Sequence, residues 1–346
     1  MLSLMESGGI GLWISLLATP VVMRSLLRRR IGQHIREDGP ATHMVKAGTP
    51  TMGGIAIVGA VVIGYCMGHV GTQVPFSRSG TLVVLAVVCF GAIGFVDDFI
   101  KVRHKRSLGL QKRGKFVAQV GAGVLFSELA VHWAHTSTAL SFTRLQTPGL
   151  RLGEIGWVVL ATVVLVATSN AVNLTDGLDG LAAGSSTFCF AVLAVIGYWE
   201  SRHTGIYHLQ AASALGLAIC AVALAGSCLG FLWWNAAPAR IIMGDTGSLA
   251  IGSGLAAICL LLNLDLLLPI IGGLFVIETL SVIAQVISFR TFGRRVFRMA
   301  PIHHHCELLG WPETTVIVRF WVLGGLFAAL GLGIFYAQFL TATNFR

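Results

Sequence analysis

Charged residues are scarce in this chain of 346 residues, of which only 11% are charged and 55% are hydrophobic. Soluble globular proteins carry about 25% charged residues, so this composition excludes an ordinary water-soluble protein and indicates an integral membrane protein. No long polar block separates the apolar segments. We therefore expect a single integral membrane domain over residues 1–346.

Cysteine is also scarce, and its placement predicts no disulfide framework. All of the seven cysteines except Cys306 fall within predicted apolar spans, where small, buried, unpaired thiols are the expected state. Cys306 follows three consecutive histidines, but that spacing is not typical of a structural zinc site, and one cysteine does not complete a ligand set.

Ten apolar segments have about the 20 residues that are needed to cross a hydrocarbon core about 30 Å thick. They cover residues 4–23, 52–70, 81–100, 116–133, 156–174, 178–198, 211–233, 246–264, 268–287 and 316–341. The sequence thus predicts an all-α, polytopic membrane protein with about ten transmembrane helices.

Lysine and arginine are distributed unevenly between the connections, which sets the expected orientation. Most of the 24 basic residues fall in the odd-numbered connections, and the exceptions are Arg78, Arg144, Arg151, Arg202 and Arg346. Because positive charge is retained in cytoplasmic loops, we expect these connections in the cytoplasm and both termini outside. The net charge of +9 is mostly this topology signal with attraction to anionic lipid, and we expect no nucleic-acid partner.

Five aspartates gather at the cytoplasmic rim of this topology. Asp97 and Asp98 end the third span, Asp176 and Asp179 lie between the fifth and sixth, and Asp245 precedes the eighth. Two carboxylates about 5 Å apart repel by roughly 3 kcal/mol at an effective dielectric of 20. Such a group needs lysine, protons or a metal ion nearby, and we expect a divalent cation.

The local pattern around these aspartates suits phosphate chemistry. Lys101 lies four residues after Asp97 and three after Asp98, so a continuing helix brings its ammonium onto their face. An ordinary ion pair at the end of a span would have the same spacing. Glycines beside Asp245 let the backbone approach a ligand, although Asp245 or Thr246 could instead cap the eighth span.

The connection between the fifth and sixth spans is more specific. Asn170 and Asn173 share one helix face, and glycines follow Asp176 and Asp179 where the chain must turn. Mg²⁺ usually takes only one or two protein carboxylates and completes its shell with water and phosphate. Five aspartates therefore leave some free for protons or substrate hydroxyls.

Two loops and two acids are weaker signals. Residues 46–54 could form an anion nest or a flexible turn, and the histidines of residues 298–313 could contact phosphate or sugar or only pack in a polar loop. Glu278 lies within the ninth span, where a charge is costly and indicates function by default, with a hydrogen-bonded structural role as the alternative. Asp265, in a short outer loop, is expected to be solvated.

Together these segments resemble the MraY family of phospho-N-acetylmuramoyl-pentapeptide transferases, within the polyprenyl-phosphate N-acetylhexosamine-1-phosphate transferase superfamily. The motifs that carry the resemblance are Ile35–Pro40, Gly48–Gly54, Val96–Val102, Ser169–Ala182, Met243–Leu249, Ile277–Val282, Val296–His305 and Gly310–Thr314. Cys306 departs from the family pattern, in which phenylalanine is expected, so the aromatic contact of that position is not carried over.

The resemblance implies a ten-helix fold and a reaction. UDP-MurNAc-pentapeptide and undecaprenyl phosphate give lipid I and UMP with Mg²⁺, in the first membrane step of peptidoglycan synthesis, on which cell shape and division depend. A phosphate oxygen of the lipid attacks the sugar-proximal phosphorus, while direct attack and a covalent aspartyl intermediate both stay open. A bacterial plasma-membrane location with a cytoplasmic active site is implied, and a homodimer is considered as the assembly.

The resemblance also implies roles for matching residues. Mg²⁺ ligation is expected first of Asp245 and then of Asp176. The expected catalytic residues, of which the first two would position or deprotonate the lipid phosphate, are Asp97, Asp98, Asp176 and His304. The uridine pocket is expected at Lys101, Asn173, Gly177, Leu178 and Asp179. Contacts to the diphosphate, sugar or peptide are expected from Lys46, Thr51, Asn170, Asn235, His303, His304 and His305.

Two alternatives stay open on the sequence. A sibling enzyme that transfers GlcNAc-1-phosphate to a polyprenyl phosphate would keep the aspartates, although Lys46 and residues 301–313 favour the muramoyl-pentapeptide donor. A cation- or proton-coupled transporter would also have ten spans and embedded acids, but it would place them near the bilayer midplane at broken helices.

Overall fold

A computed structural model describes residues 1–28, 48–104, 109–145, 150–207 and 210–344. In chain order the helices are α1 (Leu2–Arg28), α2 (Gly54–Val70), α3 (Arg78–Arg103), α4 (Lys112–His132), α5 (Gly153–Thr175), α6 (Leu181–Arg202), α7 (Thr204–Tyr207), α8 (Ala211–Asn235), α9 (Gly244–Leu261), α10 (Leu268–Ile271), α11 (Gly273–Phe292), α12 (Ile302–Leu308) and α13 (Glu313–Asn344). β pairing in these ranges is limited to an isolated bridge between Ala139 and Arg151, so the all-α prediction is confirmed.

Within the ranges that the structure describes, ten long helices correspond to the ten predicted spans. In the described part of the chain, nine of them are long and apolar enough to cross a membrane, and α2, with 17 residues, is at the lower end of the range for a spanning helix. The predicted ninth span, 268–287, was wrong at both ends. Gly272 is not helical and separates α10 from α11, which continues to Phe292.

Helix α9 is the centre of the bundle. All of its residues from Thr246 to Leu261 are buried, whereas α1, α11 and α13 leave most of their surface uncovered by protein. Helix α3 approaches α9 so closely that a Cβ on Gly94 would lie 2.2 Å from the carbonyl oxygen of Asp245. Small residues allow such backbone contact between membrane helices, and here they bring the polar ends of α3 and α9 together.

The opposite end of the bundle is tied by contacts between its loops. The Arg144 guanidinium donates to Asn263 Oδ1 at 2.8 Å, and the Ser141 backbone N–H donates to Asp265 Oδ2 at 3.4 Å. The expectation that Asp265 is solvated was wrong, because these loops cover it and leave it 6% exposed. This burial raises the pKa of Asp265 to about 7, since it disfavours the charged carboxylate.

Candidate active site

Three aspartates from two helices meet at one end of the bundle. Asp97 and Asp98 lie near the end of α3, and Asp245 lies in the first turn of α9. One oxygen from each carboxylate lies within 4.8 Å of the others, and Asp97 and Asp98 are buried. Segments that are far apart in the sequence therefore form one acidic group, here called the aspartate trio.

Lys101 contacts all three members of the trio. Its Nζ lies 2.6 Å from Asp97 Oδ2, 3.5 Å from Asp98 Oδ1 and 3.0 Å from Asp245 Oδ2. The first two contacts follow from the helical spacing within α3. The third joins α3 to α9, so the cation compensates carboxylates from both helices.

Asp98 also caps α9 from the neighbouring helix. Its carboxylate accepts hydrogen bonds from the backbone N–H of Asp245 at 3.2 Å, from the Thr246 N–H at 2.9 Å and from the Thr246 hydroxyl at 2.8 Å. The first N–H groups of a helix lack partners within the helix. The alternative, in which Asp245 or Thr246 caps its own helix, is therefore not found, because the close approach of α3 at Gly94 lets Asp98 supply the acceptor.

Asp245 is further held by α4 and α5. The Lys115 ammonium on α4 donates to Asp245 Oδ2, and Asn173 Nδ2 on α5 donates to Asp245 Oδ1 at 2.9 Å and to Ser248 Oγ at 2.7 Å. Sequence reasoning did not identify Lys115 as a site residue, because it follows Lys112 and Arg113 and counts with them as a basic residue that sets the membrane orientation. Its position at the start of a span, facing the same end as the aspartates, is the signal that could have found it.

The aspartate trio has the chemistry of a site for a hard divalent cation. Mg²⁺ binds oxygen ligands at about 2.0–2.1 Å, so two ligands on one ion are at most about 4.2 Å apart. Two of the trio's oxygens, within 4.8 Å of each other, could bind one ion from opposite sides after each shifts by a few tenths of an ångström, whereas a third ligand would have to come within about 3 Å of both. Lys101 and Lys115 contact Asp245 Oδ2, and they would compete there with an ion for the same oxygen.

The turn between α5 and α6 lies next to this group. Asp176 follows the last residue of α5, and it is outside the aspartate trio. Asp179 Oδ2 accepts from the Ala239 N–H at 2.8 Å, and the Asp179 N–H donates to Glu313 Oε1 at 3.2 Å. Leu178 is buried in an apolar cluster with residues of α13. These contacts fix the turn, while the predicted roles in metal and uridine binding stay predictions.

Helix α12 places two histidines against the same turn. A Cβ on Gly177 would lie 2.4 Å from His303 Nε2 and 3.4 Å from His304 Nε2. His303 Nδ1 lies 3.0 Å from Glu278 Oε2, with both side chains 0% exposed, and His304 Nδ1 lies 2.7 Å from Glu307 Oε2. Glu278 on α11 therefore orients the ring of His303, whose other nitrogen faces the turn.

His305 has other contacts than His303 and His304. His305 Nδ1 accepts from the Arg298 backbone N–H at 3.1 Å, and its ring packs edge-on against Phe297. His305 therefore stabilises the loop before α12. Lys46 lies outside the described residues, and its predicted role stays a prediction.

Thr51 and Asn235 border the segment that leads into α9. Backbone hydrogen bonds pair residues 50–54 with residues 242–243, and Thr51 is half-buried in this pairing. The buried Asn235 donates from Nδ2 to the Ile241 carbonyl at 2.9 Å. Both residues thus lie beside the polypeptide that positions Asp245.

A cavity of about 420 Å³ opens between α4, α5 and α11. Much of its wall is apolar, and its polar lining includes Lys112, Lys115, Gln119 and Asn170. Asn170 Nδ2 donates to Gln119 Oε1 at 2.9 Å. Because Lys115 also contacts Asp245, the cavity adjoins the aspartate trio.

A membrane bundle with carboxylates, lysines and an adjoining apolar cavity at one end suits a transferase that works on phosphates at a membrane surface. The profile of glycosyl transferase family 4 matches residues 81–263, more than half of the chain, and this range contains the aspartate trio, Lys101 and Lys115. The class is therefore that of a membrane transferase.

The comparisons also define the particular family. A signature of phospho-N-acetylmuramoyl-pentapeptide-transferases matches residues 46–58. Proteins of that name from Frankia alni and Frankia casuarinae are each 49% identical to this chain, with 97% and 96% of both chains covered. The one from Beutenbergia cavernae is 45% identical over 98% of this chain and 99% of its own. The chain belongs to the phospho-N-acetylmuramoyl-pentapeptide-transferase family, which confirms the resemblance and makes it a phosphotransferase.

Proposed function

We propose that this protein transfers phospho-MurNAc-pentapeptide from UDP-MurNAc-pentapeptide to undecaprenyl phosphate, forming lipid I and UMP with Mg²⁺ as the cofactor. The observation that carries the proposal is Asp245 held by Lys101, Lys115 and Asn173 from three other helices. Enzymes of phosphoryl transfer work mainly by positioning and by stabilising charge. This group offers oxygen ligands for a metal and ammonium groups for phosphates in one place.

The reaction needs different roles of the aspartates in and beside the trio. An oxygen of the lipid phosphate forms a bond to the sugar-proximal phosphorus, the bond from that phosphorus to UMP breaks, and UMP leaves with the electron pair. Mg²⁺ would neutralise charge on the diphosphate, with Asp245 as its first ligand and Asp176 as a further one. Asp97 is proposed to take the proton of the lipid phosphate, because its oxygens contact the Leu110 N–H and Lys101, whereas three hydrogen bonds tie Asp98 to the start of α9.

The cavity between α4, α5 and α11 is proposed to receive the lipid. Its apolar lining, such as Phe116 and Val166, suits a polyprenyl chain, and Lys115 at the trio suits the phosphate. The acceptor phosphate would thereby reach the metal site while its chain stays in an apolar environment.

The donor nucleotide is proposed to bind at the turn between α5 and α6. Asp179 anchors this turn to Ala239 and Glu313, so the backbone at Gly177 has a defined position for uridine. His303 and His304 face the turn from α12 and are proposed to contact the diphosphate or the sugar.

The site is proposed to face the cytoplasm of a bacterial plasma membrane. The aspartate trio lies at the end of α3 that carries Lys101 and Arg103, and α4 begins with Lys112, Arg113 and Lys115. Basic residues between two spans are retained on the inner side. A water-soluble nucleotide sugar is available there. The position of the aspartate trio at one end of the bundle also argues against a cation- or proton-coupled transporter, which would hold its acidic residues near the bilayer midplane.

The test is a purified-protein assay of UMP release with both substrates, with and without Mg²⁺, and with UDP-GlcNAc as the alternative donor. We expect release only with UDP-MurNAc-pentapeptide and Mg²⁺. Asp245→Asn should abolish UMP release without lowering the thermal unfolding midpoint. Asp265→Asn, which is the same change at the other end of the bundle, should retain UMP release. Turnover with UDP-GlcNAc alone would instead establish the sibling activity, and release by Asp245→Asn would remove the metal assignment.

A further inference from the structure

A second basic group, separate from the aspartate trio, lies at the C-terminal end of α11 and in the loop that follows it. It consists of four exposed arginines, Arg290, Arg294, Arg295 and Arg298. The ion pairs found among the described residues involve none of them. Four like charges without carboxylate partners favour an anionic ligand.

Three of these arginines line one cavity. Arg290, Arg295 and Arg298 surround a volume of about 600 Å³ whose wall also includes the apolar side chains of Phe289 and Met299. The cavity therefore combines guanidinium groups with an apolar surface. Arg294, from the same loop, does not line it.

The loop that closes this cavity is fixed against α11. Gln285 Oε1 accepts the backbone N–H of Val296 at 3.0 Å and of Phe297 at 2.9 Å, and Ser288 Oγ donates to the Arg294 carbonyl at 2.9 Å. A site held by such bonds has its shape before a ligand binds, which reduces the entropy lost on binding.

The surroundings of the cavity are apolar on the outside. Along the second half of α11, Ile283 is 46% exposed, Ile287 57%, Phe289 55% and Phe292 72%. These side chains point in different directions around the helix, so the protein itself does not cover them. Contact with lipid would remove their apolar surface from water. Arginines at the end of such a helix lie at the depth of lipid headgroups, where basic residues attract anionic lipids.

We propose that the cavity binds the phosphodiester headgroup of an anionic phospholipid, whose acyl chains lie along the exposed apolar surface of α11. Guanidinium groups bind phosphate oxygens in a bidentate geometry, and the wall at Phe289 and Met299 takes the glycerol and the first methylenes. A water-soluble anion would gain nothing from that wall. The site is independent of the proposed transfer reaction.

Lipid binding to the full chain in detergent can be counted by native mass spectrometry. The protein is titrated with dioleoyl phosphatidylglycerol and, separately, with dioleoyl phosphatidylcholine. We expect at least one tightly bound phosphatidylglycerol and weaker binding of phosphatidylcholine. A basic residue near the lipid contributes about 1 kcal/mol, so Arg295→Gln should weaken phosphatidylglycerol binding about five-fold.

Arg294→Gln is the matched control, because it removes the same charge from the same loop but not from the cavity wall. It should weaken binding by less than about two-fold if a defined site exists. Equal losses in the two variants would show only general attraction and would overturn the proposal. Equal binding of both phospholipids would overturn it, and so would displacement of phosphatidylglycerol by a much lower concentration of undecaprenyl phosphate.

Discussion

Replacing Asp98 by alanine tests whether one carboxylate joins α3 to α9. The change removes the acceptor for two backbone N–H groups and one hydroxyl at the start of α9. Asp98 is 3% exposed, and α3 lies so close to α9 at Gly94 that little space is left for water. Asp98→Asn keeps one acceptor oxygen and nearly the same volume, so it separates the hydrogen bonds from the charge.

The charge itself should matter little. Removing the Asp98 charge ends two repulsions, each across at most 4.8 Å, which at an effective dielectric of 20 amount together to roughly 7 kcal/mol or somewhat more. The attraction to Lys101 across 3.5 Å amounts to roughly 5 kcal/mol, and the carboxylate at a helix start to as much as about 2 kcal/mol. These contributions nearly cancel, whereas each buried N–H left without an acceptor costs about 1–3 kcal/mol.

We therefore expect Asp98→Ala to lower the free energy of unfolding by about 2–4 kcal/mol and Asp98→Asn, which leaves only one of the two N–H groups without an acceptor, by about 1–2 kcal/mol. For a chain of this length the alanine variant should unfold about 3–6 °C lower, measured by intrinsic fluorescence of protein in detergent. Asp97→Ala is the control, because Asp97 accepts from a loop N–H, that of Leu110, and not from α9. Equal midpoints for Asp98→Ala and Asp98→Asn would refute this reasoning.

Three further predictions concern other parts of the structure. Lys115→Met should lower UMP release at least about ten-fold with little change in the unfolding midpoint, because Lys115 contacts Asp245 and lines the lipid cavity; an unchanged rate would remove its role. Gly177→Ala should destabilise the fold by about 1–3 kcal/mol, since a Cβ there meets His303 Nε2 at 2.4 Å; Gly177→Ala/His303→Ala should then be as stable as His303→Ala. Burial raises the pKa of Asp265 to about 7, so the folded state holds a proton that the unfolded state has lost, and stability should fall as pH rises from about 4 to 7 and then level off. Asp265→Asn should flatten this dependence in unfolding curves recorded across that range, and an unchanged slope would contradict the assignment.

The spans and the aspartate trio follow from signals that a sequence carries directly. Apolar segments of sufficient length predict membrane helices, and basic connections predict which helix ends share a side. These two rules alone place Asp97 and Asp245 at the same depth. The spacing of Lys101 then predicts its contacts within α3, and both contacts are found.

The contacts that join helices could not be predicted in the same way. Whether Asp98 caps α9, whether Lys115 reaches Asp245 and whether His303 faces Gly177 depend on helix rotation and on approach at small residues. Those quantities are set by packing across the whole bundle. The burial of Asp265 has the same origin, because the neighbouring loop that covers it is far away in the sequence.

Metal binding tests most directly the claim that distant segments build one cation site around Asp245. Mn²⁺ takes the same oxygen ligands as Mg²⁺ and can be counted by electron paramagnetic resonance on the purified full chain. We predict one bound Mn²⁺ that is lost in Asp245→Asn and kept in Asp265→Asn. Mn²⁺ held equally by both variants would contradict the account.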